Sequence, residues 1–269
     1  RKGFNISRTI GSSILGPKET LLGSSHERNG TWSEANPQGI VPSNFGDKIM
    51  FRRTLIQAAA ALACAAAIPS AFAFTEGTDY VALSAPLPGG EGKLVKVWSY
   101  DCPFCFKYDA GVDPKMVPAM EKATGLKFDM FHLETKGKYG RAGSELFAYC
   151  LVKDKAAGIT NLEDPKSLFK KAKDAIYKAY HKKGERWTAG EDAFLKTGLD
   201  AAGISADEFA KNRKNPDVLA LADSWKASYN VGKIQGIPAY VVNGKYLIMT
   251  KSIRSVNGMV ELIGELAKK

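Results

Sequence analysis

Two cysteines separated by two residues, Cys102-Pro103-Phe104-Cys105, stand where a β-branched and aromatic run, Lys93–Tyr100, gives way to an apolar-periodic segment from Phe106. A strand that turns into a helix at a C-x-x-C puts the first sulfur at the helix N-terminus. Free N–H groups and the helix dipole favour an anion there. That lowers the Cys102 pKa below the ~8.5 of a free thiol. Cys105, one turn deeper, is expected to be buried with a higher pKa. The split assigns roles: a substrate thiolate attacks Cys102, and Cys105 is the resolving partner. Pro103 suits the first helical position, where its missing N–H costs little. Phe104 exposes an apolar ring and supplies no second cation. A stable thiolate on Cys102 leaves easily and favours the dithiol, so such a disulfide is a strong oxidant that the protein gives away. A purely structural disulfide is one rival reading. A metal site is another, but zinc wants about four ligands, and no second cysteine pair or His-x-x-His accompanies this one. No cofactor is expected beyond the Cys102–Cys105 disulfide itself.

A second constellation is Gly236-Ile237-Pro238, leading into a strand. Proline at a strand start is ordinary by itself. Beside a redox-active cysteine pair, a cis proline would leave Ile237 with backbone groups free to pair with an extended peptide. Ile237 and Pro238 are therefore the candidate substrate-binding residues. Other reactive side chains read more plainly. Cys150 shares an apolar face with Leu146 and Tyr149 and is expected to be a buried free thiol. Asp109 is either a proton acceptor for the resolving thiol or a solvated helix residue. His132 reads as a strand residue with a satisfied ring, and His181 as an exposed side chain in a Lys-rich helix end. Lys166–Arg186 carries eight cations that read as a solvated helix face or, alternatively, as a surface that steers acidic substrates or lipid headgroups.

These groups have to be held by a folded chain, and not all 269 residues belong to it. Met50 is followed by Arg52 and Arg53, a small-apolar run from Leu55 to Ile68, and then Ala71-Phe72-Ala73. A charged start, an apolar middle and an A-x-A end read as a secretory signal peptide over 50–73, with cleavage after Ala73. The run is short of the ~20 residues that span a bilayer. Residues 1–49 are rich in Gly, Ser, Asn, Pro and Thr and read as an unstructured or non-native upstream segment. Of the formal net charge of +10, residues 1–73 carry eight Lys/Arg and four Asp/Glu, which leaves +6 on 74–269. Export points to an oxidising compartment, the periplasm, where a close cysteine pair can hold a disulfide. Nucleic acid is not an expected partner, since no reading motif accompanies the charge.

Along 74–269 the pattern predicts a short strand near Tyr80–Ser84, a buried strand over Lys93–Tyr100 and a helix over Phe106–Ala123, kinked at Pro114 or Pro118. A strand follows over Leu126–Leu133. Residues 139–229 are helical by pattern, with an apolar stripe of Leu168, Ala172, Ala175, Ile176 and Ala179. Thr188 with Glu191 and Ser205 with Glu208 are candidate capping boxes, and Gly203 suits a helix end. Strands return at Ile237–Val242 and Lys245–Met249 around the hairpin signal Asn243-Gly244, and Ser252–Ala267 closes as a helix. This order fits an α/β fold whose mixed central sheet, from 74–138 and 230–269, is split in sequence by an inserted helical domain at 139–229.

The segments VWSYDCPFC at 97–105 and GIPAYVVNGKYLI at 236–248, with the helical block between them, resemble the exported thiol:disulfide interchange proteins of the DsbA type, most of all the DsbL branch. The resemblance covers about Leu94 to Ala267. It implies a thioredoxin fold with a helical insertion, Cys102 as nucleophile, Cys105 as resolving cysteine and Pro238 as a cis proline. It also implies cysteine-containing exported proteins as substrates, a monomer, and reoxidation by a quinone-linked inner-membrane partner of the DsbB or DsbI type. Two positions depart from the usual pattern. Phe104 stands where His is common and cannot donate a hydrogen bond to a thiolate. Lys96 stands where an acidic residue is usual. Alternating with Leu94 and Trp98, Lys96 either points toward the helix bearing Cys102, where a cation would favour the thiolate, or lies exposed. Asp101 would oppose the thiolate and is expected to face solvent. A disulfide isomerase or reductase on the same fold, and a non-enzymatic peptide-binding or chaperone module with a structural disulfide, remain the alternatives. The short Phe74–Gly92 leaves no room for the N-terminal dimerisation domain usual in isomerases.

Overall fold

A computed structural model describes residues 74–269. The segment 1–49, the signal peptide expected over 50–73 and Cys64 lie outside the described residues. Among the described residues five strands form one mixed sheet in the order β1-β5-β4-β2-β3. They are β1 (Tyr80–Ala82), β2 (Lys93–Trp98), β3 (Lys127–His132), β4 (Ala239–Val242) and β5 (Tyr246–Ile248). β2 lies at the centre of the site-bearing side. It pairs in parallel with β3, Trp98 opposite His132, and antiparallel with β4, Lys96 opposite Tyr240. Its Leu, Val and Trp residues are buried on both faces, as a central strand requires. β4 and β5 are joined through Asn243-Gly244, both at positive φ (51° and 67°). The Lys245 N–H donates to the Val242 carbonyl oxygen at 2.9 Å, and the mirror-image turn it closes demands that backbone, which Asn and Gly tolerate best.

Between β2 and β3 the chain forms α1 (Pro103–Gly111) and α2 (Asp113–Thr124). This corrects the single helix expected over Phe106–Ala123. The helix starts at Pro103, and the break falls at Val112, ahead of Pro114 in the first turn of α2; Pro118 sits inside α2. Proline 114 disfavours the continuation of α1 through its predecessor but suits the start of a new helix. α2 packs one face of the sheet together with α9 (Val256–Leu266), burying Met116, Met120, Leu262, Ile263 and Leu266.

The sheet is interrupted in sequence by a helical block. Its members are α3 (Gly140–Ala156), α4 (Leu168–Tyr177), a π-helical turn (Lys178–Lys182), α5 (Glu191–Ala202), α6 (Ala206–Asn212), α7 (Pro216–Ser224) and α8 (Ser228–Gln235). α3 packs against α4, α5 and α7, and it meets the sheet at β3. Aromatic rings fill that junction: Trp98 contacts His132, Phe147, Phe169 and Tyr177 at centroid distances of 5.0–6.1 Å. Half of the Ser205 box forms: Ser205 Oγ accepts the Glu208 N–H at 3.1 Å, while Glu208 Oε1 accepts from the Tyr149 hydroxyl at 2.8 Å and not from Ser205. The Thr188 box does not, because α5 starts at Glu191 with Gly190 as its cap. The expected solvated face over 166–186 is also corrected at one position: Lys173 is fully buried. Among the described residues no helix is long and apolar enough to cross a membrane.

Candidate active site

The chain leaves β2 at Trp98, turns through Ser99–Asp101 and enters α1 with Cys102 as the N-cap residue. The Cys102 backbone is extended (φ −81°, ψ 113°) and its Sγ accepts the Cys105 N–H at 3.1 Å. The sulfur thus takes the place that a serine or aspartate oxygen takes at other helix starts. Its pKa is lowered to about 7: the Cys105 thiol hydrogen bond lowers it most, burial opposes, and the Cys105 and Phe104 N–H groups and the Lys136 cation add to the lowering. Cys105, fully buried, moves the other way. Burial pushes its thiol far up, and the hydrogen bond to Cys102 and the charge there push it further. The two sulfurs are not bonded to each other, so this is the dithiol form.

The Ile237–Pro238 peptide is cis. It brings the Ile237 carbonyl oxygen to 3.5 Å from Cys102 Sγ, where it accepts from the thiol when Cys102 is protonated. Only 3% of Cys102 is exposed. Beside it stand Phe104, 61% exposed, and the half-buried Ile237. Pro103 is exposed at the first helical position.

Lys96 is fully buried and pairs with Asp113, with Asp109 Oδ1 at 3.9 Å. It also donates to the Cys105 carbonyl oxygen at 3.4 Å. Of the two positions expected for Lys96 the inward one holds: it points toward the helix bearing Cys102 and does not lie exposed. Its cation opposes the rise of the Cys105 pKa, and the Lys136 cation adds to the lowering at Cys102. Asp113 Oδ1 accepts from the Tyr240 hydroxyl at 2.6 Å. Asp109 is neither solvated nor free: Lys173 Nζ donates to both of its oxygens at 2.6 and 2.7 Å. The chamber beneath α1 therefore alternates in charge through Asp113, Lys96, Asp109 and Lys173, and Lys173 is contributed by α4 of the helical block. Asp101 is half-buried and accepts from Ser99 Oγ at 2.8 Å.

Lys136, Asp113 and Tyr240 were not legible as site residues from the sequence. One signal could have found Lys136: in a parallel β2/β3 pair the loops after both strands emerge at the same end, so residues just past His132 lie beside those just past Trp98. Tyr100 clamps that loop. Its hydroxyl accepts the Tyr139 N–H at 2.8 Å, and its ring lies where a Cβ on Gly137 would sit, at 2.6 Å. Cys150 is fully buried and its thiol is pushed up, by burial first. His132 Nδ1 bonds Ser144 Oγ at 2.9 Å, while Nε2 has no partner. Burial holds this ring neutral, with its pKa down at about 3. His181 is not exposed as expected; it is half-buried against α1. Among the described residues no cluster of metal-binding side chains forms.

Over 212 residues the sequence is 57% identical to the thiol:disulfide interchange protein DsbL of Lelliottia amnigena, covering 77% of this chain and 94% of that one. Over 230 residues it is 54% identical to DsbL of Escherichia coli O6:H1, covering 84% and 100%. The chain belongs to the DsbL branch of the DsbA-type thiol:disulfide interchange proteins. It is a dithiol:disulfide oxidoreductase with a thioredoxin-type fold. The crystal structure of Salmonella enterica serovar Typhimurium DsbL matches it at 55% identity with a TM-score of 0.68, covering 74% of this chain and all of that one. DsbA from Proteus mirabilis, at 22% identity and a TM-score of 0.57, shares the fold. No protein-family model matches the chain.

Proposed function

We propose that this oxidoreductase works in the oxidising direction, donating its Cys102–Cys105 disulfide to newly exported proteins in the periplasm. A substrate thiolate attacks Cys102 Sγ and breaks the Cys102–Cys105 bond. Cys105 leaves as a thiolate, and its high pKa has it take up a proton at once. A second substrate thiolate then attacks the substrate sulfur of the mixed disulfide, and Cys102 leaves as a thiolate. The substrate is oxidised by two electrons and the enzyme ends as the dithiol. The observation that carries this reading is the difference between the two sulfurs. A Cys102 pKa near 7 makes a good leaving group and a stable reduced form, which is what an oxidant needs. The exposed Phe104 and the Ile237–Pro238 backbone are the surfaces that would receive an extended, unfolded chain. Return to the disulfide requires an electron acceptor, assigned here to a quinone-linked inner-membrane protein of the DsbB or DsbI type.

The test is to incubate the oxidised protein with a reduced, unfolded substrate and count disulfides gained by mass spectrometry, alongside a scrambled-disulfide substrate. Stoichiometric oxidation without reshuffling is the expected result. Reshuffling alone would replace the oxidase with an isomerase, and no transfer at all would leave a peptide-binding module.

A further inference from the structure

The active-site motif has no imidazole of its own, yet a ring from the helical block stands against it. His181 Nε2 lies 2.9 Å from the Tyr100 carbonyl oxygen. A carbonyl only accepts, so Nε2 carries a proton, and burial lowers the ring's pKa, which favours the neutral form. The same imidazole stacks on Phe106 of α1, centroids 4.9 Å apart and planes within 7°. Tyr100 is two residues before Cys102 and Phe106 is four after it. One side chain therefore grips the chain on both sides of the N-cap sulfur. His181 sits in the π-helical turn Lys178–Lys182 that continues α4. Such turns are costly irregularities that gather at functional positions, and this one coincides with the handover of the ring to α1. Tyr180 and Tyr177 pack around the ring at 4.9 and 5.7 Å, and Lys182 Nζ covers Phe106 at 5.9 Å.

We propose that His181 is a positioning residue for Cys102: its neutral ring pins the Tyr100 carbonyl and Phe106 so that the first turn of α1 points its N–H groups at the sulfur. The Cys102 thiolate depends on the N–H groups of Cys105 and Phe104, and such hydrogen bonds weaken steeply with misalignment. A loosened entry turn would take away part of that stabilisation while leaving both cysteines present. The inserted block would thus set the reactivity of a sulfur that belongs to the sheet domain.

This inference rests on the assignment of Cys102 as the low-pKa nucleophile, and the experiment separates the two. Thiolate absorbance is titrated in the reduced wild-type protein and in His181→Ala, His181→Phe and His181→Gln. A wild-type titration with no thiol near neutrality would sink the Cys102 assignment itself. With that thiol present, His181→Ala is expected to raise its pKa by about one unit, a roughly tenfold smaller thiolate fraction at lower pH. Its equilibrium with glutathione shifts toward the disulfide form in step. His181→Gln, which can still donate to the Tyr100 carbonyl, recovers most of the shift; His181→Phe, which can only stack, recovers less. A side chain that merely filled space would change the melting temperature and leave the titration in place. An unmoved Cys102 pKa in folded His181→Ala overturns the proposal; if that variant does not fold, an unmoved pKa in His181→Phe does so.

Discussion

The first turn of α1 and the chamber beneath it handle charge by different means. At the turn, charge is held by hydrogen bonds: the Cys105 thiol, and after it the N–H groups of Cys105 and Phe104, bring the Cys102 pKa to about 7. In the chamber, charge is held by side chains of opposite sign. Lys96 faces Asp113, Lys173 faces Asp109, and Tyr240 donates to Asp113. The turn is a place where an anion can appear and disappear, because hydrogen bonds from the Cys105 thiol and from N–H groups stabilise it, with the Lys136 cation adding to them. The chamber is a place where each charge stands beside one of opposite sign, because an unpaired ion in low dielectric is too costly. Cys105 lies between the two and is suited to neither charge state but the protonated one.

The largest break in this comparison is chemical. Cys102→Ser is expected to abolish disulfide transfer to a reduced peptide. Cys105→Ser is expected to remove the resolving step, so that a mixed disulfide with a substrate disulfide accumulates on non-reducing gels. Equal loss without any trapped species would mean that the sulfurs do not divide the work.

Next in size is the chamber. Lys96→Met leaves Asp113 buried with Tyr240 as its one remaining donor, and breaking a buried ion pair costs on the order of 3–5 kcal/mol. Urea unfolding of the reduced variant would show it. The Cys102 pKa should move little, since the Lys96 cation bears on Cys105. A large pKa change with small destabilisation would mean that turn and chamber are one electrostatic unit.

How far each region was legible follows from how local its physics is. The cysteine pair, its proline, the strand before it and the Asn243-Gly244 hairpin were readable because their reasons lie within a few residues. The cis Ile237–Pro238 junction was named from its resemblance to known sequences. The chamber was not readable: whether Lys96 points inward is decided by Asp113, 17 residues away, and whether Lys173 is buried by Asp109, 64 residues away. Pattern alone left Lys96 open between an inward and an exposed position and placed Lys173 on a solvated face. His181 was missed for the same reason, as its partners Tyr100 and Phe106 belong to another segment of the chain.

A smaller effect sharpens the turn's half of the comparison through pH. Cys102 has a folded pKa near 7, below the ~8.5 of an unfolded thiol. Between those values the unfolded chain holds a proton that the folded one has lost, so stability of the reduced protein rises with pH across that window. The gain is about 2 kcal/mol, present above the unfolded pKa and lost as pH falls through 7. Denaturation midpoints of the reduced protein from pH 6 to 9, set against Cys102→Ala, would measure it; parallel curves would mean that the sulfur is not anionic in the folded state.

The smallest expected effect concerns the third sulfur. Cys150 is fully buried on α3, within the helical block. Burial, and after it the charge of Asp154, push its thiol up, so it carries no thiolate at neutral pH. A thiol without thiolate character or access neither attacks nor is attacked. Cys150→Ala should therefore cost about 1 kcal/mol through lost packing and leave the rate of disulfide transfer unchanged. Brief alkylation of the native dithiol protein near pH 7, read by peptide mass spectrometry, is expected to label Cys102 and to spare both Cys105 and Cys150. Labelling of Cys150 at a rate comparable to Cys102 would mean that the helical block opens on the timescale of the reaction. The distinction between a sulfur wrapped in N–H donors and one wrapped in hydrocarbon would then no longer govern reactivity in this fold.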